Sequence, residues 1–222
     1  MKWVSFFHLT SISKFDDLLI YSERIEDFLQ TQIRHIETSL DKEITALNLT
    51  EEEGSEYFEN RYEEDYFNYT NSFPTILRRS LFLHVYSIFE QELIKLCQNI
   101  ERKKSDSIKL GDLKHSGIIK AQIYLKKVAG VRFPDNSNEW IKIKDYNQIR
   151  NHFAHDGRMI ADKGTPLFNS IENTKGINNT IFGKRKGKEI YEIELNNEFC
   201  DEAINVIIQF LLKLDANMEK GS

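Results

Sequence analysis

The sequence predicts an all-α bundle of about five or six helices, with one small β-hairpin inserted before the last helix. Three observations carry that prediction. Apolar residues recur at helical spacing along most of the chain, and only three prolines and ten glycines fall among its 222 residues. One long run, LRRSLFLHVYSIFEQELIKLCQNIERKK, is apolar on two sides and holds no breaker. The helical period disappears only between residues 160 and 195, where NNTIFGKRKGKEIYEIEL places β-branched and aromatic runs around a Lys/Gly turn.

The elements follow in order. Ser13-Lys14-Phe15-Asp16 reads as a capping box opening a long amphipathic helix, whose stripe runs from Phe15 and Leu18 to Ile44 and Leu47. Thr50 begins an acidic stretch in which residues 51 to 65 hold eight carboxylates and one Arg, interleaved with Tyr57, Phe58 and Tyr62. The expected form is a helix with a solvated acidic face and aromatic core contacts; the alternative is a docking surface for a basic partner. Pro74 stands where the central helix would begin. Phe82, Phe89, Leu93, Leu96 and Ile100 form one of its stripes, and Leu77, Leu81, Val85 and Ile88 another. Only His84, Ser87 and Gln91, with Glu90 close by, make a polar strip between them. Gly111 and Gly117 flank a turn before a shorter helix that ends near Gly130. Ser137 or Asn138 can cap the next helix, which carries Trp140, Ile143, Tyr146, Ile149 and Phe153, with Gly157 as its stop. After the hairpin, at about 178–195, Asn196 or Asn197 caps the closing helix. Residues 1–72 read as an N-terminal helical extension, and 73–219 as the helical core.

Composition narrows the function. A formal charge of −5 argues against coating nucleic acid through the field of the whole molecule, although a local basic cleft stays open. Cys97 and Cys200 lie far apart and form neither a disulfide framework nor a metal motif, which suits a reducing cytoplasm. The apolar patch of MKWVSFFHLTSIS is interrupted by Ser5, His8 and Thr10 and lacks a small-residue cleavage site, so secretion is not expected. No apolar stretch reaches transmembrane length, and no membrane partner is expected.

The chemistry concentrates in RNHFAHDGR, residues 150 to 158. A His near its unperturbed pKa of about 6.5 can take a proton from an RNA 2′-hydroxyl or give one to a leaving 5′-oxygen. An Arg offers a planar, permanently charged fork to the scissile phosphate. Asn151 could orient the phosphate or the imidazole. That chemistry requires no metal and no cofactor. Spacing alone is weak support, because Arg79 and His84 repeat it inside the apolar central helix, where His84 should be an ordinary buried or semi-buried histidine. On a continuous helix Arg150 and His155 would also stand about 140° apart, whereas Asn151 and His155 would share a face. Either the helix unwinds near His155 or a second copy of the chain completes the cleft.

Arg150-Asn151-x-x-x-His155, ending a helix late in an all-helical domain, resembles the signature of the HEPN family. The helices SLFLHVYSIFEQELIKLC and FCDEAINVIIQFLLKL are similar to that family's core helices, and the resemblance spans roughly residues 75 to 215. It implies a metal-independent endoribonuclease acting as a homodimer, with Arg150, Asn151 and His155 as catalytic residues. It also implies a role of toxin or anti-phage type, with an antitoxin or regulatory protein as a further partner. Members paired with a nucleotidyltransferase antitoxin carry a Tyr two residues after the His; here that position is Gly157.

Two rival readings use the same residues. His152, His155 and Asp156 form HxxHD, a pattern that a metal-dependent phosphohydrolase could use with His84 and Asp145 as added ligands. A non-catalytic helical interaction module would instead use these cations to complement the negative end of a helix dipole. The cluster Lys184-Arg185-Lys186-Gly187-Lys188 is either a hold on the RNA backbone or a solvated hairpin tip.

Overall fold

The central element of the computed structural model is α4 (Phe73–Glu101), against which the first and last helices of the chain and the two that follow α4 pack. The structure describes residues 3–103, 108–155 and 160–219. Before α4 come α1 (Trp3–Leu47), α2 (Glu51–Arg61) and α3 (Glu63–Phe67); after it come α5 (Gly117–Ile123) and α6 (Asn138–His155). The chain continues through β1 (Ile160–Asp162), α7 (Pro166–Glu172), β2 (Ile177–Arg185) and β3 (Lys188–Leu195) to α8 (Glu198–Glu219). This is an all-α bundle with a small antiparallel sheet before the last helix. Among the described residues, no helix is long and apolar enough to cross a membrane.

Both stripes of α4 reach the interior. Leu81, Phe82, Val85, Tyr86, Phe89, Leu93 and Leu96 are buried, and the strip between them keeps His84 and Gln91 exposed with Ser87 half-buried. His84 is thus a surface residue, not the buried or semi-buried one its apolar neighbours suggested. It projects from the polar strip, away from both stripes. One carboxylate is buried on α4. Glu92, 4% exposed, accepts hydrogen bonds from Ser11 Oγ and Lys14 Nζ, both at 2.8 Å, and from Lys95 Nζ at 2.9 Å. Burial pushes this carboxyl up, and the three hydrogen bonds outweigh it, holding Glu92 below the usual carboxylate range. A second clamp joins the same two helices, where Arg78 Nε and Nη2 donate to the two oxygens of Glu26 at 2.7 and 2.8 Å. Phe15 on α1 is fully buried in the main core and Leu18 and Leu19 pack against it, so this part of the helix belongs to the core.

Several elements depart from expectation. α1 runs through Ser13 without a break, because no Gly or Pro stops it and Ser11, Phe15 and Ser22 keep one face buried. Thr50 forms the capping box instead, with Glu53 Oε2 accepting from the Thr50 N–H at 2.8 Å. The aromatic residues that follow do not enter a core. Tyr57 and Tyr62 are half-buried and donate their hydroxyls to Glu43 of α1 at 2.8 and 2.9 Å, while Phe67 is exposed. α4 is entered through a π-helical stretch, Asn68–Ser72, with Pro74 in its first turn. The segment between 160 and 195 holds more than a hairpin. α7 interrupts it, capped where Thr165 Oγ1 accepts the Phe168 N–H, and β1 pairs with β3 to give the strand order β1-β3-β2. Eight α-helices stand among the described residues where five or six were expected: the acidic stretch, expected as one helix, is divided into α2 and α3, and α7 was not foreseen.

The sheet is seated on α8 at one point. Gly176 has φ +83°, and a Cβ there would lie 2.6 Å from the Phe199 backbone, so only glycine fits this approach. Asn196 Oδ1 then accepts the Glu198 N–H at 3.0 Å as α8 begins.

Candidate functional site

Rotation of α6 decides what its polar residues can reach. The helix opens where Ser137 Oγ accepts the Trp140 N–H at 3.2 Å. Trp140, Ile143, Tyr146, Ile149 and Phe153 are then all buried against α4 and α8. With that stripe locked inward, Asn147 and Asn151, four residues apart, lie on a face bordering α4. His155 is the last residue of α6, one turn beyond Asn151. The His155 side chain, together with Asp156 and Gly157, lies outside the described residues.

α6 stays helical through His155, so backbone positions 150 and 155 do stand about 140° apart around its axis. The Arg150 side chain makes up part of that angle through its length. Its Nη1 donates to Asn151 Oδ1 at 3.0 Å, and its Nη2 donates to Glu90 Oε2 on α4 at 3.4 Å. Its Cζ stands 5.6 Å from the centroid of the Tyr86 ring, a cation–π contact. The guanidinium has therefore swung onto the face of Asn147 and Asn151, the face on which position 155 also falls. Unwinding is not needed to bring the charge there.

Sequence reasoning gave no role at this site to three residues that hold the arrangement. Tyr86 donates its hydroxyl to Asn147 Oδ1 at 2.9 Å. Burial, followed by the Glu90 carboxylate, pushes that hydroxyl far above its usual range, so it remains a donor. Glu90 bears on Arg150 directly. Arg79 donates Nη2 to the Phe153 carbonyl and lies 5.7 Å from the Phe153 ring centroid, bracing the negative end of the α6 dipole. One signal was available for Arg79. No acid lies three or four residues from it on α4, so a cation on that apolar helix had to find a partner on another element.

The hold on Arg150 is reversible in energetic terms. Its side chain is 29% exposed and that of Glu90 is 28% exposed, and ion pairs this accessible contribute about 0–1 kcal/mol. Glu90→Gln should lower the unfolding free energy by less than about 1 kcal/mol in urea titration. A loss several times larger would make Glu90 a structural anchor instead of an exchangeable counter-ion. An incoming phosphate can take the place of Glu90 and accept two parallel hydrogen bonds from the guanidinium.

The other candidates fare differently. His152 is half-buried, its ring 6.0 Å from that of Phe153. Asp145 accepts a hydrogen bond from Ser170 Oγ on α7 at 2.8 Å, which commits it to packing. Among the described residues, no group of three or more His, Cys, Asp or Glu side chains is placed to hold a metal ion. Cys97 and Cys200 are buried, and burial pushes both thiols up to about 12, too high for a thiolate nucleophile near neutrality.

Comparison of the chain with protein-family models, with curated proteins and with solved structures returned no match.

Proposed function

We propose that the protein is a metal-independent endoribonuclease of toxin or anti-phage defence type, acting as a homodimer in the cytoplasm. The observation that supports it best is the placement of Arg150. Its guanidinium is partly exposed, weakly countered by Glu90, and drawn beside Asn151 one helical turn from His155. The resemblance of Arg150-Asn151-x-x-x-His155 to the HEPN signature supports the same reading.

In this mechanism an imidazole takes the 2′-hydroxyl proton and the 2′-oxygen attacks phosphorus. The bond to the 5′-oxygen breaks, and that oxygen receives a proton from a second imidazole, which starts the reaction protonated and ends it neutral. The products are a 2′,3′-cyclic phosphate and a 5′-hydroxyl. Base and acid act at opposite ends of one displacement, so two copies of His155 divide the work, and a dimer supplies both. Arg150 binds the phosphate oxygens and stabilises the charge that builds on them. Asn151 keeps the guanidinium on the correct side of α6.

The test incubates RNA with the purified chain in excess EDTA and analyses the ends of the products. Cleavage that persists and leaves cyclic phosphates is the expected result. Abolition by EDTA favours a metal-dependent phosphohydrolase. Absence of cleavage under every condition favours the non-catalytic interaction module.

A further inference from the structure

The β2–β3 hairpin ends in a surface that the motif does not use. Its two-residue turn, Lys186-Gly187, has φ +50° and +79°, the left-handed pair that a tight hairpin requires. Around it stand Lys184, Arg185 and Lys188, and the β1–α7 turn brings Lys163 alongside. Arg185 pairs with Asp162 at 2.6 Å and Lys163 with Glu189 at 2.7 Å. Exposed Lys184, Lys186 and Lys188 stand outside those two pairs, so the tip carries a local positive excess in a chain of net charge −5.

A β-bulge lies two residues before this cluster. The register passes from Ile181 opposite Tyr191 to Gly183 opposite Ile190, which leaves Phe182 as the extra residue. Regular alternation would send one of two neighbouring side chains inward. Here Ile181 and Phe182 are both exposed, at 64% and 65%. Lysines and a bulge on an edge strand can serve merely to block pairing with another sheet. An exposed Phe beside an exposed Ile works against such protection, so the apolar residues call for a different account. A basic rim beside an outward-facing aromatic ring is the combination that holds single-stranded nucleic acid, with phosphates on the lysines and a base stacked on the ring.

We infer that the hairpin is a single-stranded RNA-holding arm, with Phe182 as its stacking platform and Lys184, Lys186 and Lys188 as phosphate contacts. The inference rests on the ribonuclease reading and adds a substrate class to it, namely unpaired RNA. Chain connectivity keeps the sheet that carries the arm near the motif, since only four residues lie between His155 and Ile160 of β1, and the five steps from one to the other span at most about 18 Å.

The experiment uses the full chain carrying His155→Ala, so that bound RNA is not consumed, and follows a fluorescent single-stranded oligoadenylate by polarisation. Phe182→Ala should weaken binding by about 10-fold or more, and Phe182→Trp should retain it. Replacing Lys184, Lys186 and Lys188 together by Gln should flatten the salt dependence by about two in log–log slope. The thermal melt of each variant should match that of the parent, because every substituted side chain is exposed. Parental affinity in Phe182→Ala overturns the inference, as does failure of the parent to bind the oligonucleotide. Competition by polyglutamate as strong as that by RNA also overturns it, in favour of an acidic protein partner. Cleavage by the unmutated chain is measured separately. Binding that depends on Phe182 without cleavage would count against the nuclease reading alone, and cleavage without that dependence would count against the arm alone.

Discussion

Replacing either Arg150 or His155 by Ala should reduce RNA cleavage at least ~100-fold while leaving the fold intact, as read by product formation and by the thermal melt. The two substitutions act on different parts of the reaction. Removing His155 takes away proton transfer, a contribution of roughly 10²–10⁴ in rate. Removing Arg150 takes away a charged fork that meets the phosphate most strongly in the transition state, so kcat should fall more than KM rises. Arg150→Lys should recover only part of the loss, because an ammonium cannot donate two parallel hydrogen bonds to one phosphate. Stability should barely respond to Arg150→Ala, since the Glu90 pair is accessible to solvent. His84→Ala is the matched control. Arg79 and His84 repeat the spacing of the motif, yet Arg79 is committed to the Phe153 carbonyl and His84 points to solvent. Equal cleavage by the parent, Arg150→Ala and His155→Ala would remove the site assignment.

How much of this was legible in the sequence depends on the range of the interaction. Two local signals were read accurately. The hairpin expected at about 178–195 occupies Ile177–Leu195, and α6 begins beside Ser137 as its side-chain oxygen allows. Short elements escaped because periodicity needs length. β1 is three residues and α7 seven, although Thr165-Pro166 did carry a cap and a helix-starting proline. Ser13 misled for the opposite reason: a capping pattern inside a strong helical run is overridden by the apolar face that continues on both sides of it. Within the site, the helical wheel placed the backbone positions of Arg150 and His155 correctly and the guanidinium wrongly. A wheel describes where a side chain departs, not where a long one ends. Its end is set by Glu90 and Tyr86, about sixty residues earlier, and no local pattern encodes that pairing.

The largest loss of stability should follow Phe82→Ala, at about 3–5 kcal/mol in urea or thermal unfolding. Phe82 is fully buried, and its ring lies 4.8 Å from Phe199, 6.0 Å from Tyr146 and 6.2 Å from both Tyr86 and Phe153. It therefore joins α4, α6 and α8 at one point, and the rings around it cannot all close the space that truncation leaves. Against a total of roughly 5–15 kcal/mol for a domain, such a loss brings the protein close to unfolding at ordinary temperature. A cost under 1 kcal/mol would show that this cluster is not the centre of the core. Phe82→Leu should be much milder, because it keeps most of the volume, and it makes the consequence for the site measurable in folded protein. Phe153 rests on Phe82 and receives Arg79 on both its ring and its carbonyl, two residues before His155. Loosening Phe82 loosens the end of α6, so Phe82→Leu should slow RNA cleavage more than its small stability cost alone would explain. An unchanged rate in that variant would mean that the end of α6 is held by Arg79 without help from the core.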